Sequence, residues 1–419
     1  CVLKYNFDGP EHSFEVAPHG NSKGRTGYMR TMPSTLDLLR KEEQSYTPKV
    51  AVEVVDDANG GIMEADSAGS LPRNRQQASN YRRTVSGSNE RRRKNVKGLR
   101  DELSVMEMCF NQSRTPETAF VRKVQGAPDT MCVLASDYQL RELERNATKP
   151  EAFKIVSVDP TFNLGAFDVT VMTFEHGLVI NKRTGKHPVI MGPILVHRRK
   201  QFSRFSNYFY FMSSLVELKP SLSEIQAFGT DGETALQQGL SKPCTNPRLL
   251  RCFGHFKRNC GDKLTTLGVP KQFQSAFIGD IFGYNIGSTH HEGLVDSDSE
   301  EVFDAKLLSL ETWNNLEVNA NPLKVPSFHQ WFCKNKAKEM KEHMLPALRT
   351  EVGLGSPPEP YYQNKSESMN EVIKGQVQYQ ESELPEFIKK VSCIGERHKD
   401  LLRKAVARTG EWELRPGFR

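Results

Sequence analysis

The sequence lacks the features that mark a secreted, disulfide-stapled or membrane-spanning protein. Its eight cysteines, at positions 1, 109, 132, 244, 252, 260, 333 and 393, include no CxxC pair and no framework spacing. Reduced intracellular thiols are therefore the expectation. No apolar run reaches the length needed to cross a bilayer and no signal-peptide core stands at the start, so no membrane partner is expected. Hydrophobic residues make up only 37% of the 419, below the usual share for compact domains, which implies polar segments diluting a globular centre. That length exceeds one average domain, so two or three units are expected. A chain that begins at Cys1 rather than Met is expected to be a piece of a longer protein, with room for a further domain at the missing end.

The net charge is a mild +6, but it is unevenly spread. The segment "LPRNRQQASNYRRTVSGSNERRRKNVKGLR", residues 71–100, carries Arg73, Arg75, Arg82, Arg83, Arg91, Arg92, Arg93 and Lys94 against Glu90 as its one acid. Such a block suits a phosphate backbone, because neutralising phosphates releases condensed counterions. A solvated linker or a nuclear import signal reads equally well from the same residues. Before it, residues 1–69 are polar and Gly-rich, and "EVVDDANGGIMEADSAGS" reads as an acidic flexible linker within an irregular segment. Residues 70–148 read as a basic helical region, with Val96, Leu99, Leu103, Met106 and Phe110 at three- and four-residue steps in "NVKGLRDELSVMEMCF".

The character changes over residues 149–267. "FKIVSVD", "FDVTVMTF" and "HPVIMGPILVH" read as three successive strands, the last broken by Gly192 and Pro193, and suggest an antiparallel meander. "QFSRFSNYFYFMSSLVEL" follows with Phe202, Phe205, Phe209, Met212 and Leu215 on one helical stripe, suited to covering a sheet. Then come "IQAFGTD" as a strand ending in Asp231, "GETALQQGL" as a helix, "RLLRCF" as a strand and "GHFKRNCGDKL" as a helix. Three strands, helix, strand, helix, strand, helix is the order of an RNase H-like α/β fold. In open α/β sheets, strand ends deliver side chains to one edge, where chemistry collects. Asp159 and Asp231 are expected to meet there.

Residues 268–360 break the alternation and read as a mainly helical insertion, with an acidic stretch at 290–320 and helices bounded by Pro326 and Gly353. The pair His290 and His291 reads as part of a solvated loop, and Trp331 with Phe332 as a core anchor rather than a base-stacking platform. The core resumes over 361–385 with "NKSESMNEVIK", a helix start crowded with polar groups in which Met369, Val372 and Ile373 are the residues to bury. Residues 386–419 read as a basic helical tail.

Two aspartates at strand ends and a glutamate on a returning helix suit hard divalent cations, which prefer carboxylate oxygens and keep several waters. Three such acids can hold two ions about 3.5 to 4 Å apart, one activating the attacking oxygen and the other stabilising the leaving one. Each acid also has a plain structural reading. Asp159 before Pro160 can form a turn, "TDGE" can be an Asx turn capping the next helix, and Glu367 can be a solvated helix residue. Cys252 and His255 have the spacing of two metal ligands, with Cys260 as a third candidate, but no second pair completes a zinc site in the neighbouring sequence. A structural or DNA-positioning role is the expectation for that pair. Lys257 and Arg258 follow it closely, where phosphate contacts would hold a DNA strand.

"VDPTFNLG", "GTDGETAL", "CFGHFKRN" and "NKSESMNEVIK" together resemble the DDE transposase core of Mutator-like (MULE) elements, over about residues 150–380. The resemblance implies an RNase H-like fold, a catalytic triad of Asp159, Asp231 and Glu367 that is also the metal-ligand set, a CxxH motif at Cys252 and His255, and a helical insertion before the glutamate. Glu371, one turn after Glu367, is the rival third acid. The implied activity is cut-and-paste transposition with Mg²⁺, or Mn²⁺ in its place: DNA cleavage, then attack of a freed 3′-hydroxyl on target DNA. The implied partners are transposon ends, target DNA and further copies of the chain as a dimer or larger assembly, in the nucleus. A domesticated, DNA-binding transcriptional regulator is the alternative, and an RNase H-like nuclease a third. Many relatives carry a zinc-binding DNA-recognition module at one end; no such Cys/His array is present here, so recognition of end sequences is not located.

Overall fold

The computed structural model describes residues 30–42, 48–60, 65–73, 77–78, 94–126, 130–161, 164, 167–198, 204–287, 289–322 and 324–418. The chain divides into two compact units, one formed by residues 1–101 and 374–380, the other by residues 102–373 and 381–419. The first holds helices α1 (Pro33–Glu42) and α2 (Pro48–Ala58). Leu39, Ala51 and Val55 form a small apolar cluster with Ala78. This corrects the reading of residues 33–42 and 48–58 as part of an irregular segment; residues 1–29 lie outside the described residues. Ala51 and Val55, one helical turn apart, give the valine-rich stretch an apolar stripe to bury, while Glu53 and Asp57 are exposed and do not break the helix.

The second unit is an α/β structure built on a mixed seven-stranded sheet flanked by helices. After α3 (Lys94–Ser113) come β1 (Val121–Gln125) and β2 (Met131–Leu134), an antiparallel pair where a helical region was expected. The reason is local: "MCVL" is a short run buried at every position, as in a strand covered on both faces, and too short to show a period. On α3 the expected stripe also fails, since Leu103, Met106 and Phe110 are exposed and Val105 is buried. Helix α4 (Asp137–Thr148) follows, opened by a capping box between Ser136 and Gln139.

Next are β3 (Val156–Thr161), β4 (Phe167–Glu175), β5 (Val179–Asn181), β6 (Val189–Arg198), α5 (Arg204–Leu218), β7 (Ala227–Thr230), α6 (Thr234–Ser241), β8 (Arg248–Arg251) and α7 (Phe253–Thr266). The sheet order is β1-β2-β6-β4-β3-β7-β8. Strands β2, β6, β4 and β3 run antiparallel in turn, and β3, β7 and β8 run parallel. Strand β6 is not broken at Gly192–Pro193. It carries one extra residue there against β4, a bulge that accommodates a proline without a backbone donor. The buried Gln139 amide donates to the Met191 and Gly192 carbonyls at 3.0 and 3.1 Å.

Helix α5 covers the sheet, but with a different stripe from the one expected. Tyr208, Phe211, Met212 and Leu215 are buried against Val156, Val158, Met172 and Phe228. Phe205 and Phe209 instead stack on each other at 5.9 Å with Lys242 over both rings. Phe202 lies outside the described residues.

The insertion contains α8 (Lys271–Phe282), β9 (Tyr284–Ile286), β10 (Thr289–His291), α9 (Glu300–Ser309), α10 (Thr312–Ala320), α11 (Phe328–Asn335), α12 (Ala337–His343) and α13 (Pro346–Glu351). It has a core of its own, in which Phe277, Phe303, Trp313, Phe328 and Phe332 meet Phe256, Cys260 and Leu264 of α7. Phe332 is the anchor expected. Strands β9 and β10 pair as a hairpin, so His290 and His291 stand on a strand rather than in a loop. His290 lies 3.1 Å from Asp296 and His291 stacks on Tyr284 at 4.8 Å.

Helix α14 (Asn364–Gln376) returns to the sheet, followed by α15 (Leu384–Val406) and β11 (Trp412–Leu414). The last two are not a tail. Phe387, Ile388, Val391, Ile394, Leu402 and Ala405 of α15 are buried, and β11 pairs with β5. Their three- and four-residue spacing gives α15 an apolar face beneath its lysines and arginines. Among the described residues, no helix is long and apolar enough to cross a membrane.

Candidate active site

The parallel pairing of β3 and β7 places the two aspartates. Val156 stands opposite Phe228, and Ser157 opposite Gly229. Asp159 lies two residues beyond Ser157 within β3, and Asp231 is the first residue past the end of β7, near enough for its charge to act on Asp159. Asp231 also forms the turn that was its structural reading, since one of its carboxylate oxygens accepts from the Glu233 amide at 3.0 Å. Gly232, at φ +89°, permits that turn, and a Cβ there would lie 2.2 Å from Nε of Arg251. Arg251 is buried and ion-paired with Glu339 of α12 at 2.5 Å, so the Asp231 turn rests on a side chain tied to the insertion.

The polar crowding of "NKSESMNEVIK" has a structural cause. The buried face of α14 is Ser366, Met369, Asn370 and Ile373, a helical stripe in which two of the four residues are polar, whereas Val372 is exposed. The polar pair is used. Ser366 shares a hydrogen bond with Thr173 of β4 at 2.8 Å, and the Asn370 amide donates to Asp159 at 2.6 Å. Just before the helix, the Tyr361 and Ser157 hydroxyls meet at 2.7 Å, and Gln363 donates to the Val158 carbonyl at 2.7 Å. Three buried polar contacts and one partly buried one thus fix this segment on β3 and β4. None was singled out from the sequence, although the spacing of Ser366, Met369, Asn370 and Ile373 held the signal.

Cys252 joins β8 to α7, with its amide donating to the Thr230 carbonyl at 3.0 Å, while the next amide, of Phe253, donates to the Tyr361 carbonyl at 2.9 Å. The strand ends and the returning segment are knitted together at this point. Cys252 and His255 are hydrogen-bonded to each other, and His255 Nε2 lies 3.9 Å from a Glu367 carboxylate oxygen. Burial alone would raise the Cys252 thiol, but hydrogen bonds from the side chain and backbone of His255 and the backbone of Gln363 hold it below its ordinary value. The hydrogen bond to Cys252 raises His255 against the opposing effect of burial, and Asp231 and Asp159 add to that rise. Cys260 does not join this pair. It is buried in the insertion core, where desolvation pushes its thiol up to about 12.

Asp159 is strongly perturbed. Burial, then the charge of Asp231 and that of Glu367, push it up to about 6, against the opposing pull of His255 and the hydrogen bond from Asn370. The structure therefore brings Asp159, Asp231, Glu367 and His255 within reach of one another's charges. It does not close the acids into a finished ligand set. Glu367 is 54% exposed, and among the described residues no three His, Cys, Asp or Glu side chains are already grouped to hold an ion. Glu371 is exposed, one turn further along α14.

No family model and no curated protein matches the chain.

Of the basic residues singled out, Arg258 lines a pocket of about 300 Å³ together with Cys252, His255, Tyr362 and Glu367. Lys257 borders an adjoining cavity of about 510 Å³, next to Phe282. Arg73 is exposed and Lys94 opens α3. Arg75, Arg82, Arg83, Arg91, Arg92 and Arg93 lie outside the described residues.

The donor set fits Mg²⁺ or Mn²⁺. Mutually repelling carboxylates gathered around a partly buried Asp159 are what a hard divalent cation relieves. The buried Asn370 Oδ1 has no hydrogen-bond partner and adds an oxygen beside them. The Cys252–His255 couple offers no comparable set for zinc, which needs four ligands in a structural site.

Proposed function

We propose that this chain is a DNA transposase of the Mutator-like DDE type with an RNase H-like core, acting on transposon ends and target DNA in the nucleus as a dimer or larger assembly. The strand run β6-β4-β3-β7-β8, three antiparallel members followed by two parallel ones, supports the RNase H-like reading. The observation that carries the functional reading is the closeness of Asp159 on β3 to Asp231, the first residue past the parallel strand β7, with the Glu367 helix fixed to Asp159 through Asn370.

In this reading Asp159, Asp231 and Glu367 hold Mg²⁺, or Mn²⁺ in its place, which when bound supplies Lewis-acid activation of the attacking oxygen and charge stabilisation at the leaving one. The chain's own residues do the remaining work. Asn370 and the Tyr361, Gln363 and Ser366 contacts hold the acids in register, so little reorganisation is needed during reaction. Arg258, in the pocket wall beside Glu367, binds the phosphate of the strand to be cut. His255, raised by its contact with Cys252, faces Glu367 and balances the local negative charge.

The test is a Mg²⁺- or Mn²⁺-dependent assay on labelled DNA carrying terminal repeats together with an unlabelled target duplex. Cleavage followed by joining of the 3′-end to target is the expected result. Hydrolysis without joining would instead indicate a nuclease. Tight binding with neither product would indicate a regulator that keeps the fold.

A further inference from the structure

We infer that Asn370 is a fourth oxygen ligand of the site's divalent cation, directly or through one bound water, while its amide nitrogen holds Asp159. The inference rests on the reading of Asp159, Asp231 and Glu367 as cation-binding acids and adds a residue to that set.

Asn370 is 6% exposed and donates through Nδ2 to one Asp159 carboxylate oxygen at 2.6 Å. The chemistry of the pair fixes the orientation of its amide, because the reversed amide would set a carbonyl oxygen against a carboxylate. Its Oδ1 is therefore held on the same carbon as the donor, close to Asp159, and there it is buried without a hydrogen-bond partner. The large majority of buried acceptors in folded proteins are satisfied, so an orphan one held beside acidic groups calls for an occupant. Chemistry narrows the choice. A phosphate oxygen, itself an acceptor, cannot serve. A cation or a donor such as water can, and the neighbouring acids, whose charges act on Asp159, favour a cation that brings its own water. Hard divalent ions accept amide oxygens alongside carboxylates.

Position supports this. Asn370 lies three residues after Glu367 on α14, so the two side chains are neighbours on the helix surface. Ser366 and Ile373, on the same buried face, keep that surface against the sheet. Asn370 thus contacts one acid directly and stands next to another.

The test is Mn²⁺ binding by the full chain without DNA, followed by titration calorimetry, for wild type, Asn370→Ala, Asn370→Asp and Asp159→Asn. Asn370→Ala is expected to weaken binding by roughly 10- to 100-fold. Asn370→Asp restores a ligand oxygen but not the donor, so it is expected to bind at least as tightly as wild type. A residue that merely positions Asp159 would fail equally in both variants, and that result overturns the inference. So does Asn370→Ala binding like wild type while Asp159→Asn does not, which would leave the acids' role standing. If Asp159→Asn also binds like wild type, the reading of the acids falls and the inference with it. Thermal unfolding in EDTA checks that each variant is folded before its Mn²⁺ response is read.

Discussion

Glu367→Gln is expected to lower metal-dependent DNA cleavage by roughly 10³-fold, whereas Glu371→Gln stays within about threefold of wild type. The two acids are one turn apart on α14 and nearly equivalent in sequence. Their surroundings separate them. Glu367 approaches His255 at 3.9 Å and its charge helps push up Asp159. Replacing a carboxylate by an isosteric amide keeps the shape and removes the charge that a cation needs. DNA affinity is expected to change little, because the phosphate contacts proposed for Arg258 and the basic segment do not involve Glu367. Cleavage rates and filter-binding affinities measured on the same preparations check both halves. Normal cleavage by Glu367→Gln together with loss in Glu371→Gln would move the third acid by one turn.

Asp159→Asn is expected to abolish cleavage and yet, in metal-free buffer at pH 7.5, to make the fold more stable than wild type by about 2 kcal/mol. Burial and the charges of Asp231 and Glu367 raise Asp159 from 3.8 to about 6. A carboxyl whose value is raised on folding binds its proton more tightly in the folded state. Its ionisation therefore costs stability, and that cost develops as pH rises through the window from about 4 to about 6. Two units would correspond to about 3 kcal/mol, and partial access of solvent to Asp159 reduces the expected effect. Asparagine carries no such charge and can still accept from Asn370. Urea unfolding in EDTA should show the two proteins diverging as pH rises from 4 to 7 and converging below 4. Adding Mg²⁺ should stabilise wild type alone. A variant less stable than wild type at pH 7.5 in EDTA would mean that the acids are not crowded.

Much of the site was legible because strand-end residues are fixed by short runs of strong pattern. "AFGTD" sets Asp231 just past the end of β7 and "VSVD" sets Asp159 within β3, which runs on to Thr161 beside that parallel neighbour. What the sequence hid had physical causes. "MCVL" was too short to show a period, so β1 and β2 passed for part of a helical region. The aromatic richness of α5 allowed more than one stripe, and Tyr208 and Phe211 were buried in place of Phe205 and Phe209. Polar core positions were the largest loss. Ser366 and Asn370 are not among the residues the sequence marks for burial, because a buried polar group is recognised by its partner, here Thr173 and Asp159, and not by its own type. The same holds for Arg251, whose burial depends on Glu339, distant in sequence.

The most direct measurement of the central claim is an anomalous difference map from crystals of the protein soaked in Mn²⁺. The account predicts manganese at about 2.1 Å from oxygens of Asp159 and Asp231, with Glu367 swung in to share it. Manganese bound only elsewhere, with those carboxylates empty at saturating metal, would contradict it.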